Sequence, residues 1–166
     1  MDMYIRAAEP NDLEEIMRLI GGAVEEMERT DIHQWDEVYP TKEDMRGDIT
    51  RGCSYVGIID GSIAVVYAVN KDCDEQYKNG AWDYDGNGYI VIHRLCVSPE
   101  HQHQGIAKET LKHIEDEARR RGTKAVRLDV FCENPYALRL YSGSGYRKVG
   151  RAHWRKGEFL LMEKLL

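Results

Sequence analysis

Residues 101–111 read HQHQGIAKETL: two histidines, two glutamines and a glycine directly ahead of a helical apolar pattern. Three chemistries use such a stretch: metal ligation, phosphate binding, or none beyond a solvated turn. The first N–H groups of a helix have no intrahelical partner and point at whatever lies before it, where the helix dipole also favours negative charge. Gly105 lets the backbone approach a phosphate with no Cβ in the way. His101 and His103 are too few for a metal. They lack nearby cysteines or carboxylates at recognised ligand spacing, so no metal is expected, and a phosphate cradle is the favoured reading over a plain polar helix start.

A second candidate, DYDGNGYI at 83–90, imitates the first half of a calcium loop, with Asp83, Asp85 and Asn87 at ligand positions and Gly88 at the turn. It fails at its far end: the twelfth position is Arg94 in place of a bidentate Glu, and a strand-like run replaces the second helix. A turn feeding a strand is the better account.

The elements around the turn follow from periodicity. A short strand over 3–8 leads to a helix with Asn11 as cap, Glu14 as capping partner and apolar Leu13, Ile16, Met17, Ile20, Ala23 and Val24 at helical spacing. Thr41 caps a second helix to about Arg51, and CSYVGIIDGSIAVVYAVN reads as a hairpin about Asp60-Gly61. Residues 71–88 are polar and glycine-rich, a long loop before the strand YIVIHRLCV. A helix runs from Gly105 to about Arg121, followed by the strand AVRLDVF, a short helix opened by Asn134-Pro135 and closed at Gly143, and strands near 146–150 and 159–164. The order is β-αα-βββ-α-β-α-ββ, an α/β sandwich with a mixed sheet.

At 166 residues, 42% hydrophobic, the chain builds one substantial core, and a single domain over 1–166 is expected. No run approaches the roughly 18 apolar residues of a membrane span, and nothing at the N-terminus resembles a secretion signal, so a cytoplasmic protein is expected. The four cysteines, far apart, read as reduced thiols. A formal charge of −6 argues against nucleic-acid binding and suits a cationic small molecule or basic peptide. A monomer or homodimer is expected.

Gln102-His103-Gln104-Gly105-Ile106-Ala107 resembles the cofactor motif of the GNAT acetyltransferase superfamily: Gln or Arg, two residues, Gly, one residue, Gly or Ala. The strand HRLCVSP before it, ENPYALRLYSGSGY about thirty residues later and the element order extend the likeness over nearly the full chain. The resemblance implies a GNAT-like three-layer sandwich with a mostly antiparallel sheet and acetyl-CoA as acetyl donor. Its pyrophosphate would lie over the backbone of Gln102, His103, Gln104, Gly105, Ile106 and Ala107. The pantetheine arm would pair like an added strand with Leu95, Cys96 and Val97.

Acetyl transfer to an amine needs a neutral nucleophile, a stabilised oxyanion and a proton for the departing thiolate. By resemblance Tyr141, in LRLY, is the acid, against a core-packing role, and Asn134 is a partner for the pantetheine or a water, against a plain helix cap. Many relatives carry a Glu on the central strand, whereas this one has His93 and Arg94. Strand alternation puts Tyr89, Val91, His93 and Leu95 on one face, so His93 is the candidate base, or else a buried structural histidine; deprotonation through water stays open.

Acceptor recognition falls to DIHQWDEVYP between the first two helices, where Trp35 and Tyr39 could wall a cationic amine, with Asp36 or Glu37 attracting its charge. Trp35 as a plug beneath the loop is an equal alternative. Two functions follow: an N-acetyltransferase acting on a small-molecule or peptide amine, or a non-catalytic module that binds acetyl-CoA.

Overall fold

The computed structural model describes residues 2–166. Its elements are β1 (Tyr4–Ala7), α1 (Leu13–Arg29), α2 (Lys42–Thr50), β2 (Ser54–Ile59), β3 (Ser62–Asn70), β4 (Tyr89–Val97), α3 (Ile106–Arg120), β5 (Ala125–Phe131), α4 (Pro135–Gly143), β6 (Arg147–Trp154) and β7 (Gly157–Leu165). This is the expected order. The strands form a mixed seven-stranded sheet, β1-β2-β3-β4-β5-β7-β6. The β4–β5 pair is parallel, and β1–β2, β2–β3, β5–β7 and β6–β7 are antiparallel. Among the described residues no helix is long and apolar enough to cross a membrane.

The sequence shows no linker, yet packing resolves two compact units: residues up to 69 with 93–110, and 70–92 with 111–166. All three boundaries fall inside elements, at the end of β3 and within β4 and α3, where composition carries no break.

In the first unit the start of α1 departs from the expected cap. A 3₁₀ turn over Pro10–Asp12 precedes the helix, and the Glu9 N–H donates to Asp12 Oδ2 at 2.7 Å, while Arg6 holds the same carboxylate at 2.7 and 2.9 Å. Pro10, with its fixed φ, starts the turn early and displaces the cap from Asn11. At α2 the Thr41 cap is as expected and Asp44 completes it as a capping box: the Asp44 N–H donates to Thr41 Oγ1 at 3.1 Å and the Thr41 N–H to Asp44 Oδ2 at 2.7 Å. Asp60 and Gly61, with φ of +50° and +79°, make the tight turn joining β2 to β3. Ile16, Met45, Val56 and Val66, each at most 1% exposed, pack α1 and α2 on this sheet with Trp35 and Cys96. A second cluster joins Ile59, Ala64, Val65 and Ile106 with Leu95 and Val97. Each fully buried aliphatic side chain contributes about 2 kcal/mol.

In the second unit β4 and β5 are in register from Tyr89↔Ala125 to Val91↔Arg127. The core gathers Tyr77, Val91, Ala152 and Leu161. Residues 71–88 include a 3₁₀ turn, Glu75–Asn79, and are pinned from beneath. Buried Glu163 accepts the N–H groups of Asp83 and Tyr84 at 2.7 and 3.3 Å. The Arg127 guanidinium lies 4.5 Å from the Trp82 ring and 4.0 Å from Tyr89. The calcium-like stretch is built into this anchor: Asp83 pairs with Arg147, and the Gly88 N–H donates to the Tyr84 hydroxyl at 3.0 Å. No group of three metal-ligating side chains occurs among the described residues. β6 and β7 outrun their expected limits because Arg151 and His153 sit on β6, an edge strand that tolerates exposed charge where apolar alternation has lapsed.

Candidate active site

After β4, a 3₁₀ turn at Pro99–His101 leads into two left-handed residues, His103 (φ +64°) and Gly105 (φ +78°), and then α3. The His101 N–H donates to Ser98 O at 2.9 Å, and the Gln104 side-chain amide to Glu100 O at 3.3 Å. The Gln102 side-chain amide donates to Val97 O at 3.3 Å and ties the turn to the end of β4. On α1, Gly22 admits Pro99: a Cβ there would lie 3.4 Å from the proline ring. A Cβ on Gly105 would meet nothing within 4 Å. Glycine at 105 therefore serves the backbone conformation and leaves open space in front of the turn. The helix-start amides of Ile106 and Ala107 have no acceptor within α3. This is the geometry of an anion cradle.

β4 contains a feature invisible in the sequence. Arg94 is left-handed (φ +53°) in mid-strand, which interrupts the period-two alternation. The face predicted for Tyr89, Val91, His93 and Leu95 is thus not obtained by counting across Arg94. Leu95 and Val97 pack with Ile106, whereas Cys96 joins the α1–α2 core. Burial pushes the Cys96 thiol up to about 12, so it stays protonated and supplies only its main chain to chemistry. His93 is half-buried.

Arg94 donates from Nε and Nη2 to Asp48 Oδ2 and Oδ1 at 2.8 and 2.6 Å, and from Nη1 to the Tyr39 hydroxyl at 2.9 Å. Burial, the largest single influence, would lower the guanidinium's pKa, and the hydrogen bonds and charges of Asp48 and Tyr39 together raise it above its ordinary value. Tyr39 is 37% exposed, whereas Trp35, 7% exposed, packs with Leu13, Ile16 and Met45. Of the two aromatics assigned to the acceptor, Trp35 is the plug beneath the loop, because its ring is consumed by the core. Tyr39 is the one that presents a surface.

The second unit holds Asn134 and Tyr141. Asn134 Oδ1 accepts the Ala137 N–H at 3.1 Å, so this side chain caps α4. Tyr141 is 8% exposed and edge-on to Tyr146, with ring centres 5.6 Å apart. Burial, and secondarily the charge of Asp129, raise its phenol above the ordinary value, so it is a protonated donor at every physiological pH.

Asp129 went unremarked in the sequence. It is the one residue of β5 that is not buried, and the Tyr77 hydroxyl donates to its Oδ2 at 2.7 Å. A lone carboxylate within LDVF looks like any polar residue of an alternating strand. Only the burial of both its strand neighbours and the two tyrosines it influences set it apart.

Residues 23–146 match the Acetyltransferase (GNAT) family. An acetyltransferase of that family from Streptococcus agalactiae superposes with a TM-score of 0.87 at 30% identity, over 99% of this chain and 95% of the other. An acetyltransferase of Agrobacterium fabrum is 34% identical over 77 residues, covering 46% of this chain and 55% of its own length. An L-methionine sulfoximine/L-methionine sulfone acetyltransferase of Salmonella typhimurium is 34% identical over 68 residues, covering 40% of each. The chain thus spans about half the length, or less, of these two curated relatives.

Proposed function

Because the chain belongs to the acetyltransferase (GNAT) family, an enzyme family whose acetyl donor is acetyl-CoA, we propose that it is an N-acetyltransferase acting on a primary amine of a small molecule or peptide. The amine attacks the thioester directly, in a ternary complex: the N–C bond forms, the C–S bond breaks, the ammonium proton passes to a base and the thiolate takes a proton from an acid. The observation that carries this reading is the turn at Gly105, where positive φ, unfilled space and helix-start amides coincide.

In this reading the backbone of Gln102 through Ala107 binds the pyrophosphate and the main chain of Leu95, Cys96 and Val97 takes the pantetheine. Asn134, whose Oδ1 caps α4, is the side-chain partner for the pantetheine or for a water. Tyr141 gives its proton to the thiolate; burial and the Asp129 charge keep that proton on the phenol until the thiolate leaves. Two groups compete for the ammonium proton: His93, a half-buried imidazole on β4, and Asp129, supported by its partial exposure on β5 and its influence on Tyr141. The free thiols of all four cysteines support a reducing, cytoplasmic setting.

The test is release of free thiol from acetyl-CoA with polyamines, amino acids, aminoglycosides and peptide N-termini as acceptors. Amine-dependent release is expected. Acetyl-CoA that raises the melting temperature while no amine releases thiol would replace the enzyme with a binding module.

A further inference from the structure

We propose that Arg94 is a positioning residue for the acceptor: by gripping the Tyr39 hydroxyl it fixes that ring as a rigid wall, and so selects amines that carry an apolar or aromatic group beside the nitrogen. The inference rests on the acetyltransferase reading for the identity of the reaction, and on its own geometry for the role.

Three observations converge on it. A non-glycine residue in left-handed conformation persists only where its surroundings over-determine it, and Arg94 is held at φ +53° by three hydrogen bonds to two partners. Those partners lie on different segments: Asp48, 2% exposed on α2, and Tyr39 on the loop between α1 and α2. The guanidinium fork therefore ties the bend of β4, next to His93, to the acceptor-side loop. The Tyr39 hydroxyl is occupied while 37% of the residue stays exposed, and neighbouring Val38 is 56% exposed.

The loop reinforces the pose from below. The Asp36 N–H donates to Tyr39 O at 3.0 Å, and Asp36 Oδ1 accepts the N–H groups of Val38 and Tyr39 at 3.0 and 3.3 Å. What faces outward is therefore an apolar pair, Val38 and the Tyr39 ring, whose pose Arg94 reinforces with a charge-assisted hydrogen bond to the Tyr39 hydroxyl. An acceptor recognised by this wall gains from a side chain that packs on it.

Two variants test the proposal. Tyr39→Phe keeps the ring and removes the acceptor of Arg94 Nη1; Arg94→Lys keeps a charge against Asp48 and loses the fork. Amide hydrogen exchange at residues 36–39 should accelerate about tenfold in both, the scale of one charge-assisted hydrogen bond, with β2 and β3 unchanged. Phenylalaninamide and alaninamide serve as acceptor probes. The wild type should favour the former, and Tyr39→Phe should raise its KM several-fold, with kcat within about twofold and the KM for acetyl-CoA unmoved. Unchanged exchange in Tyr39→Phe, or an unchanged ratio of kcat/KM for the two amides, overturns the proposal. A wild type that acetylates neither amide counts against the acetyltransferase reading, and the exchange measurement then decides the tether by itself.

Discussion

Arg94 and Asp48 form a two-bond fork, Nε to Oδ2 at 2.8 Å and Nη2 to Oδ1 at 2.6 Å, with the carboxylate 2% exposed. Removing one partner leaves a buried charge with nothing to offset it, at a cost of about 3 to 5 kcal/mol. Arg94→Ala should therefore lose about that much stability in urea unfolding. The double variant with Asp48→Ala should lose clearly less than the sum of the two single changes. Additive losses would mean that the fork contributes nothing as a pair.

Gly105→Ala combines two penalties. A Cβ at φ +78° costs about 1 to 2 kcal/mol of backbone strain, and it also stands in the open space where the phosphate would approach. The expected result is a modestly lower melting temperature and a KM for acetyl-CoA raised about tenfold or more, equivalent to at least about 1.4 kcal/mol. Calorimetry and initial rates check the two parts separately.

Tyr141→Phe should lower kcat by roughly 10² or more, the range of general acid catalysis. Burial, and then the Asp129 charge, raise the phenol's pKa, so the acid form persists as pH rises and the wild-type rate should not decline from loss of this proton below about pH 10. Asp129→Asn removes one of the two causes and should bring an alkaline limb to lower pH. The same sign governs stability: the buried neutral phenol contributes fully below its unfolded pKa of about 10, and that contribution is lost as pH rises through the folded value.

His33 offers a separate pH signature, just past the end of α1. Its Nε2 lies 2.7 Å from Asp31 and its Nδ1 2.8 Å from Glu28, hydrogen bonds that raise its pKa, Asp31 foremost. Protonated His33 thus stabilises the fold fully below its unfolded pKa of about 6.5, and the effect fades as pH rises through the folded value. His33→Asn should lower the melting temperature at pH 5 and leave it nearly unchanged at pH 8.5. A difference independent of pH would show that the imidazolium is not the cause.

Much of this protein lies in local sequence. The helix α3 and the turn before it follow from Gly105, the apolar spacing of Ile106, Leu111 and Ile114, and Gly122. The hairpin at Asp60-Gly61, the Thr41 capping box and the Asn134-Pro135 helix start were equally legible, because each is decided within a few residues. The family likeness came from the same short-range signals.

Tertiary structure decided what depends on partners far apart in the chain. Arg94 looks like a charge on an alternating strand until Asp48 and Tyr39, 46 and 55 residues away, hold it in a left-handed bend. Trp35 becomes a core plug and Tyr39 the exposed ring only once α1 packs, and Asp129 gains its tyrosine partner from a loop 52 residues earlier. Backbone propensity and capping act over one turn of chain, whereas burial and ion pairing are set by whichever segments the fold brings within a few ångströms.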